Sequence, residues 1–235
     1  MASINGSPAT SVVVAINILF FLGVELTGGD LLNWGAKYGP YIAEGEYRRL
    51  FLPMFLHVGF FHMLMNLFGL VIFGRMVERI FGTRDFVVVY LTAGIMGNVT
   101  SYLAGPNQSV GASGAVFGIL GAFGVYLLLN RRLLGHMGRQ ELTSIGVIVA
   151  INIVFGLTIA GIDNAAHFGG FLAGGFVAWL IAPRQRLFAV ENPFNFGSQR
   201  MALTPGDQST SKLVLAIVVI AAVAVVVTWF VSQSY

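Results

Sequence analysis

Seven stretches of this chain are apolar for close to twenty residues each, and they limit the folds open to it. The cleanest, Leu213–Val231, is built mainly of Val, Ile and Ala and carries no charge. Hydrocarbon offers a backbone no partners, so a spanning segment must satisfy its own amides, which a helix of about 20 residues does. The other six are Ser11–Leu26, about Met54–Gly74 with Pro53 as a start signal, Phe86–Ala104, Ser113–Asn130, Leu142–Ala160 and Ala165–Ala182. Charged residues make up 10% of the chain, against about 25% in a soluble domain. The expected fold class is all-α: a polytopic membrane protein with a six-helix transmembrane bundle and a seventh C-terminal transmembrane helix.

Three regions follow. Residues 1–182 form the expected core, whose first loop, about 27–51, carries Trp34, Tyr38, Tyr41 and Tyr47, aromatics suited to a headgroup layer. Residues 183–212 read as a polar, flexible linker with Pro193, Asn195, Gly197 and Pro205, and residues 213–235 as the added helix. No basic region precedes the first apolar run, so it is expected to stay as a helix and not be removed as a signal.

Basic residues set the expected orientation. Arg75, Arg79 and Arg84 follow segment two. Arg131, Arg132 and Arg139 follow segment four, and Arg184, Arg186, Arg200 and Lys212 follow segment six. The loops after segments three and five have no Lys or Arg. The N-terminus and the even loops should therefore face the cytoplasm and the C-terminus the outside; the first loop is the exception, with Lys37, Arg48 and Arg49 offset by Asp30, Glu44 and Glu46. The compact chain suggests a prokaryotic inner membrane. The basic residues are spread over inter-helix loops and form no single face, so no nucleic-acid partner is expected. The absence of cysteine removes disulfides and thiolate chemistry.

Few strongly polar residues fall inside the apolar segments. Segment two holds His57, His62 and Asn66, segment four opens on Ser113, and His167 lies near the start of segment six. All three segments run inward. Ser113 precedes Arg131 by eighteen residues and His167 precedes Arg184 by seventeen, which places them ~27 and ~26 Å above the inner boundary. His62, thirteen before Arg75, lies ~20 Å up, and its side chain leans outward. Thus a serine, a histidine and a His62/Asn66 pair meet in one layer below the outer surface.

That layer has the parts for acyl transfer. A serine hydroxyl needs a base to become a nucleophile, and His167 can be one. The free amides of a helix start, with His62 and Asn66 as donors, can face a developing oxyanion. Gly111 and Gly114 let a substrate approach the backbone closely. Phe117, one turn after Ser113, can stack on the imidazole or simply pack.

Plainer readings compete with this one. Serine among small residues also serves helix packing, and the GxxxG pairs Gly114/Gly118 and Gly170/Gly174 explain themselves that way. His57 reads better as an interfacial residue than as a site residue. A metal held by His57, His62 and His167 would find only Glu25, at the edge of the first segment, as an acid within the segments, so no metal is expected. Asp163, four before His167, reads as a solvated loop residue, and Arg48 and Arg49 read as headgroup anchors.

The motifs carry a resemblance. GASG at 111–114, HVGFFHMLMN at 57–66 and AHFGGFLAGG at 166–175 together resemble the rhomboid intramembrane serine proteases over about Leu31 to Ala182. The resemblance implies an intramembrane serine endopeptidase in which Ser113 is the nucleophile and His167 the base. His62, Asn66 and the Ser113 amide would support the oxyanion. It further implies transmembrane protein substrates cut near the outer face, membrane lipid as surroundings, and no cofactor. Phe117 stands where some relatives have tyrosine. The family's usual Trp-Arg before segment two is Arg48-Arg49 here, which leaves the tryptophan's role unfilled. The alternative is a catalytically silent protein of the same fold that binds membrane clients. Transport finds no polar path across the bundle.

Overall fold

The computed structural model describes residues 6–191, 199–204 and 210–233. Six helical stretches are long and apolar enough to cross a membrane: Pro8–Leu26, Phe60–Phe81, Thr83–Ala104, Arg131–Thr158, Asn164–Ile181 and Thr210–Ser232. The remaining apolar segment forms a shorter helix, Ser113–Leu129, of 17 residues. The architecture is therefore an all-α polytopic bundle, as expected. In chain order the helices are α1 (Pro8–Leu26), α2 (Asp30–Gly35), α3 (Gly39–Ala43), α4 (Phe60–Gly69), α5 (Arg75–Phe81), α6 (Thr83–Ala104), α7 (Ser113–Leu129), α8 (Arg131–Thr158), α9 (Asn164–Ile181) and α10 (Thr210–Ser232). A π-helical stretch, Leu70–Gly74, joins α4 to α5 in one span.

Helix α7 is the axis of the molecule, and every residue from Gly114 to Gly124 is buried. Its partners are α9, the most extensive contact in the bundle, and α6. Small residues make this possible. A Cβ on Gly170 would lie 2.0 Å from the Gly114 carbonyl oxygen, and one on Gly174 would lie 2.1 Å from that of Gly118. Those distances are far inside van der Waals contact, so α7 and α9 meet backbone to backbone. Between lipid-bathed helices, where apolar contact alone gives little net gain, such close packing is a main source of association. The two GxxxG patterns thus pack against each other.

Helix α1 is held by an acid from α5. The Glu78 carboxylate accepts from the amides of Ala9 and Thr10, the Thr10 hydroxyl and the Thr83 hydroxyl. A helix start leaves amides without partners, and a buried carboxylate with four donors satisfies two of them while its own charge is stabilised by the helix dipole. Glu78 is 3% exposed, so this contact replaces water on both sides.

Four local expectations change. Segment two does not become helical at Met54. Leu52–Phe55 is a single 3₁₀ turn, Gly59 has φ +76°, and the helix starts at Phe60. The Pro53 carbonyl points to the Gly111 amide instead of into a helix. Arg139 is not in a loop, because α8 continues from Arg131 with one break at Gly135, φ +51°. The first loop is structured, with α2, α3 and a 3₁₀ turn at Tyr47–Leu50. Within the expected linker, Arg186–Glu191 pairs antiparallel with Gln199–Thr204, while Pro193, Asn195, Gly197 and Pro205 lie outside the described residues.

Candidate active site

Ser113 is the first residue of α7, and His167 lies one turn into α9. The close approach of these helices brings Ser113 Oγ and His167 Nε2 to 2.8 Å. The Phe117 ring stacks on the imidazole, with centroids 4.2 Å apart and planes 6° from parallel. That contact fixes the ring plane without a hydrogen bond. The remaining ring nitrogen, Nδ1, is buried and has no hydrogen-bond partner. A serine hydroxyl that donates to Nε2 requires the tautomer with the proton on Nδ1, since a neutral imidazole has one donor and one acceptor.

The chain before Ser113 is shaped by Gly111. Its φ of +132° suits glycine alone, and a Cβ there would stand 2.7 Å from His62 Nε2. The missing side chain therefore lets the His62 ring sit against the strand leading to Ser113. His62 is half-buried near the start of α4. Asn66, one turn on, gives an Nδ2 hydrogen to the His62 carbonyl at 2.8 Å. Gly114 faces Gly97 of α6 and the Ala166 carbonyl, so it serves the junction of α6, α7 and α9.

His57 is not an interfacial residue. It is fully buried, lies before α4, and its Nε2 accepts from the Ala112 amide at 3.4 Å. Burial, and then the neighbouring His62, push its pKa down to about 4. A neutral imidazole is the form that can accept, so this shift keeps the contact intact near neutral pH. The His57 and His62 rings meet edge to face at 5.2 Å.

Two further expectations are corrected. Arg49 is 4% exposed and bonds the Glu46 carboxylate and the carbonyls of Asn33 and Ala36, while its guanidinium lies over the Tyr41 ring. It is an internal tie of the first loop, not a headgroup anchor. Arg48 bonds Glu46 as well and stacks over Trp34, so the tryptophan beside this motif comes from fourteen residues upstream and not from the adjacent position. Asp163 is half-buried and caps α9, accepting from the Ala166 amide at 2.9 Å. Among the described residues no group of three or more His, Asp or Glu is placed to hold a metal. No motif marks Lys37 as a site residue. It is one of three bases in the first loop, with Arg48 and Arg49, yet it is 2% exposed.

The rhomboid domain model matches residues 44–184, well over half the chain. Rhomboid protease GluP of Bacillus subtilis is 41% identical over 181 residues, covering 74% of this chain and 35% of that one. YdcA of the same organism is 31% identical over 72% of this chain and 86% of its own length. RHOMBOID-like protein 5 of Arabidopsis thaliana is 36% identical over 69% of this chain and 53% of that one. The chain thus spans about a third of GluP and about half of the plant relative. The matched region begins in the first loop and ends just past α9, so it contains Ser113, His167, His62 and Asn66 with the helices that carry them. The protein is an integral membrane protein that belongs to the rhomboid family.

Proposed function

We propose that the protein is an intramembrane serine endopeptidase that cuts transmembrane-helix substrates with Ser113 as nucleophile and His167 as general base. The observation that carries this reading is the 2.8 Å approach of Ser113 Oγ to His167 Nε2. His167 takes the hydroxyl proton as Oγ attacks the scissile carbonyl carbon. The charge that appears on the carbonyl oxygen is met by donors at the start of α7, with His62 and Asn66 beside them. His167 then returns the proton to the leaving amine, and water, activated by the same imidazole, releases the acyl group.

The pair works without an acid. Stacking on Phe117 takes over the orienting role that a carboxylate plays in a triad. His57 holds the Ala112 amide in place and so steadies the turn into Ser113. The names of the similar proteins, protease among them, agree with this assignment. The orientation with the Ser113 end outward and α10 ending outside follows from the distribution of Arg and Lys. Cleavage near the outer face follows from that orientation.

The test is incubation of the purified protein with a panel of transmembrane substrates, read by mass spectrometry. Wild type should give defined fragments. Ser113→Ala and His167→Ala, eluting and melting as wild type, should give none. Fragments from Ser113→Ala identical to those of wild type would refute the mechanism.

A further inference from the structure

Lys37 and Asp163 lie on different loops, and both are tied into the polar layer above the catalytic helices. Lys37 is almost wholly buried and gives its ammonium hydrogens to the carbonyls of Gly105 at 2.9 Å and Asn107 at 2.7 Å. Its backbone forms an antiparallel bridge with Ser109, amide to carbonyl in both directions at 3.0 Å. Two residues on, the Gly39 amide bonds the Pro106 carbonyl. The first loop is thus fastened, through Lys37, to residues 105–109, four positions before Ser113.

Asp163 makes the matching connection on the other side. Its carboxylate accepts from the Ala166 amide and from the Ser101 hydroxyl of α6, and its carbonyl accepts from the His167 amide at 3.1 Å. Ser109, whose backbone pairs with Lys37, lines one cavity with Asp163. A polar cavity of about 220 Å³ lies against the junction, lined by Lys37, Ser101, Asn107, Ser109, Asp163 and Asn164 among others. Apolar packing does not fill this corner, so the hydrogen bonds must hold the three loops together.

We propose that Lys37 and Asp163 are positioning residues: together they fix the start of α7 relative to the start of α9, and so set the Ser113–His167 distance. The inference rests on the catalytic reading above. The charges support each other across the knot. Burial holds the Lys37 ammonium below the usual lysine value, and the Asp163 charge offsets part of that. Burial alone would raise Asp163, but hydrogen bonds from Ser101, Ala166 and Ser109, with the Lys37 charge, more than reverse it and hold the carboxyl below its ordinary range. Each group sits where its loss would loosen one helix start. A displacement of about 1 Å between nucleophile and base can cost on the order of a hundredfold in rate.

The test measures active-site geometry directly. Labelling of Ser113 by a fluorophosphonate reports how well His167 activates it, independent of any substrate helix. Lys37→Met and Asp163→Ala should each slow labelling, and kcat on a model transmembrane substrate, by about 10- to 100-fold, with KM within about twofold of wild type. Asp163→Asn keeps a good helix cap and should recover most of the loss. The double variant Lys37→Met/Asp163→Ala should be no slower than its worse parent, because both act on one geometry. Folded single variants that label at the wild-type rate, or losses that multiply in the double variant, overturn the proposal. If Lys37→Met does not fold, Ser101→Ala replaces it: slower labelling at an unchanged melting temperature supports the knot, and wild-type labelling overturns it. These outcomes differ from failure of the catalytic reading, in which wild type itself resists labelling at Ser113.

Discussion

Phe117 lies flat against His167, one helical turn from the serine that the imidazole contacts. Nδ1 of that imidazole has no acceptor, so the stacked ring does most to hold it in plane. Phe117→Leu should therefore lower kcat by about tenfold, which is ~1.4 kcal/mol of transition-state stabilisation. Phe117→Tyr should stay within about threefold of wild type. The check is kcat and fluorophosphonate labelling on purified variants. A wild-type rate for Phe117→Leu would show that something other than stacking orients the ring.

The α7–α9 seam should tolerate no added carbon. Gly170→Ala places a methyl group 2.0 Å from the Gly114 carbonyl oxygen, and the helices must part to admit it. Overpacking of this kind costs about 1–3 kcal/mol or more. The expected result is a lower melting temperature and loss of activity together, since the same separation pulls His167 from Ser113. Gly146→Ala is the control. Nothing lies within 4 Å of a Cβ there, and the change should be neutral or slightly stabilising in its helix.

Glu78 anchors α1 from a distant part of the chain. Glu78→Ala leaves the Ala9 and Thr10 amides and the Thr10 and Thr83 hydroxyls without their acceptor. The loss should be about 3 kcal/mol, from several unmet donors at once. Glu78→Gln, which keeps one acceptor oxygen, should lose less. Thermal unfolding in detergent measures both, and α1 should become the first region open to proteolysis or hydrogen exchange.

His57 should make the fold sensitive to mild acid. Its folded pKa, about 4, lies below the ordinary histidine value of 6.5. The unfolded chain therefore binds the proton first, and stability falls as pH drops from about 6.5 towards 4. The full effect across that window is on the order of 3 kcal/mol. His57→Gln, which keeps an acceptor for the Ala112 amide but does not titrate, should flatten the profile. Melting temperatures between pH 7.5 and 5 test this, and equal slopes for the two proteins would remove His57 as the cause.

Much of this molecule could be read from its residues. Apolar length marked every spanning helix, because hydrocarbon leaves a backbone no other way to meet its hydrogen bonds. The spacing of Ser113 and His167 from their basic anchors put both at one depth, and the two GxxxG pairs brought their helices together. Residue type and linear distance carry that information. They do not carry the path of a loop. The sequence by itself therefore determined which spanning helices exist and which side chains share a level. Only the tertiary structure decided that the second span starts at Phe60, that Arg49 is an internal tie, that His57 is buried against Ala112, and that Lys37 is sealed between carbonyls of a distant loop. The physical reason is common to all four. A polar group's role depends on which partners fold against it, and no local pattern of the sequence names those partners.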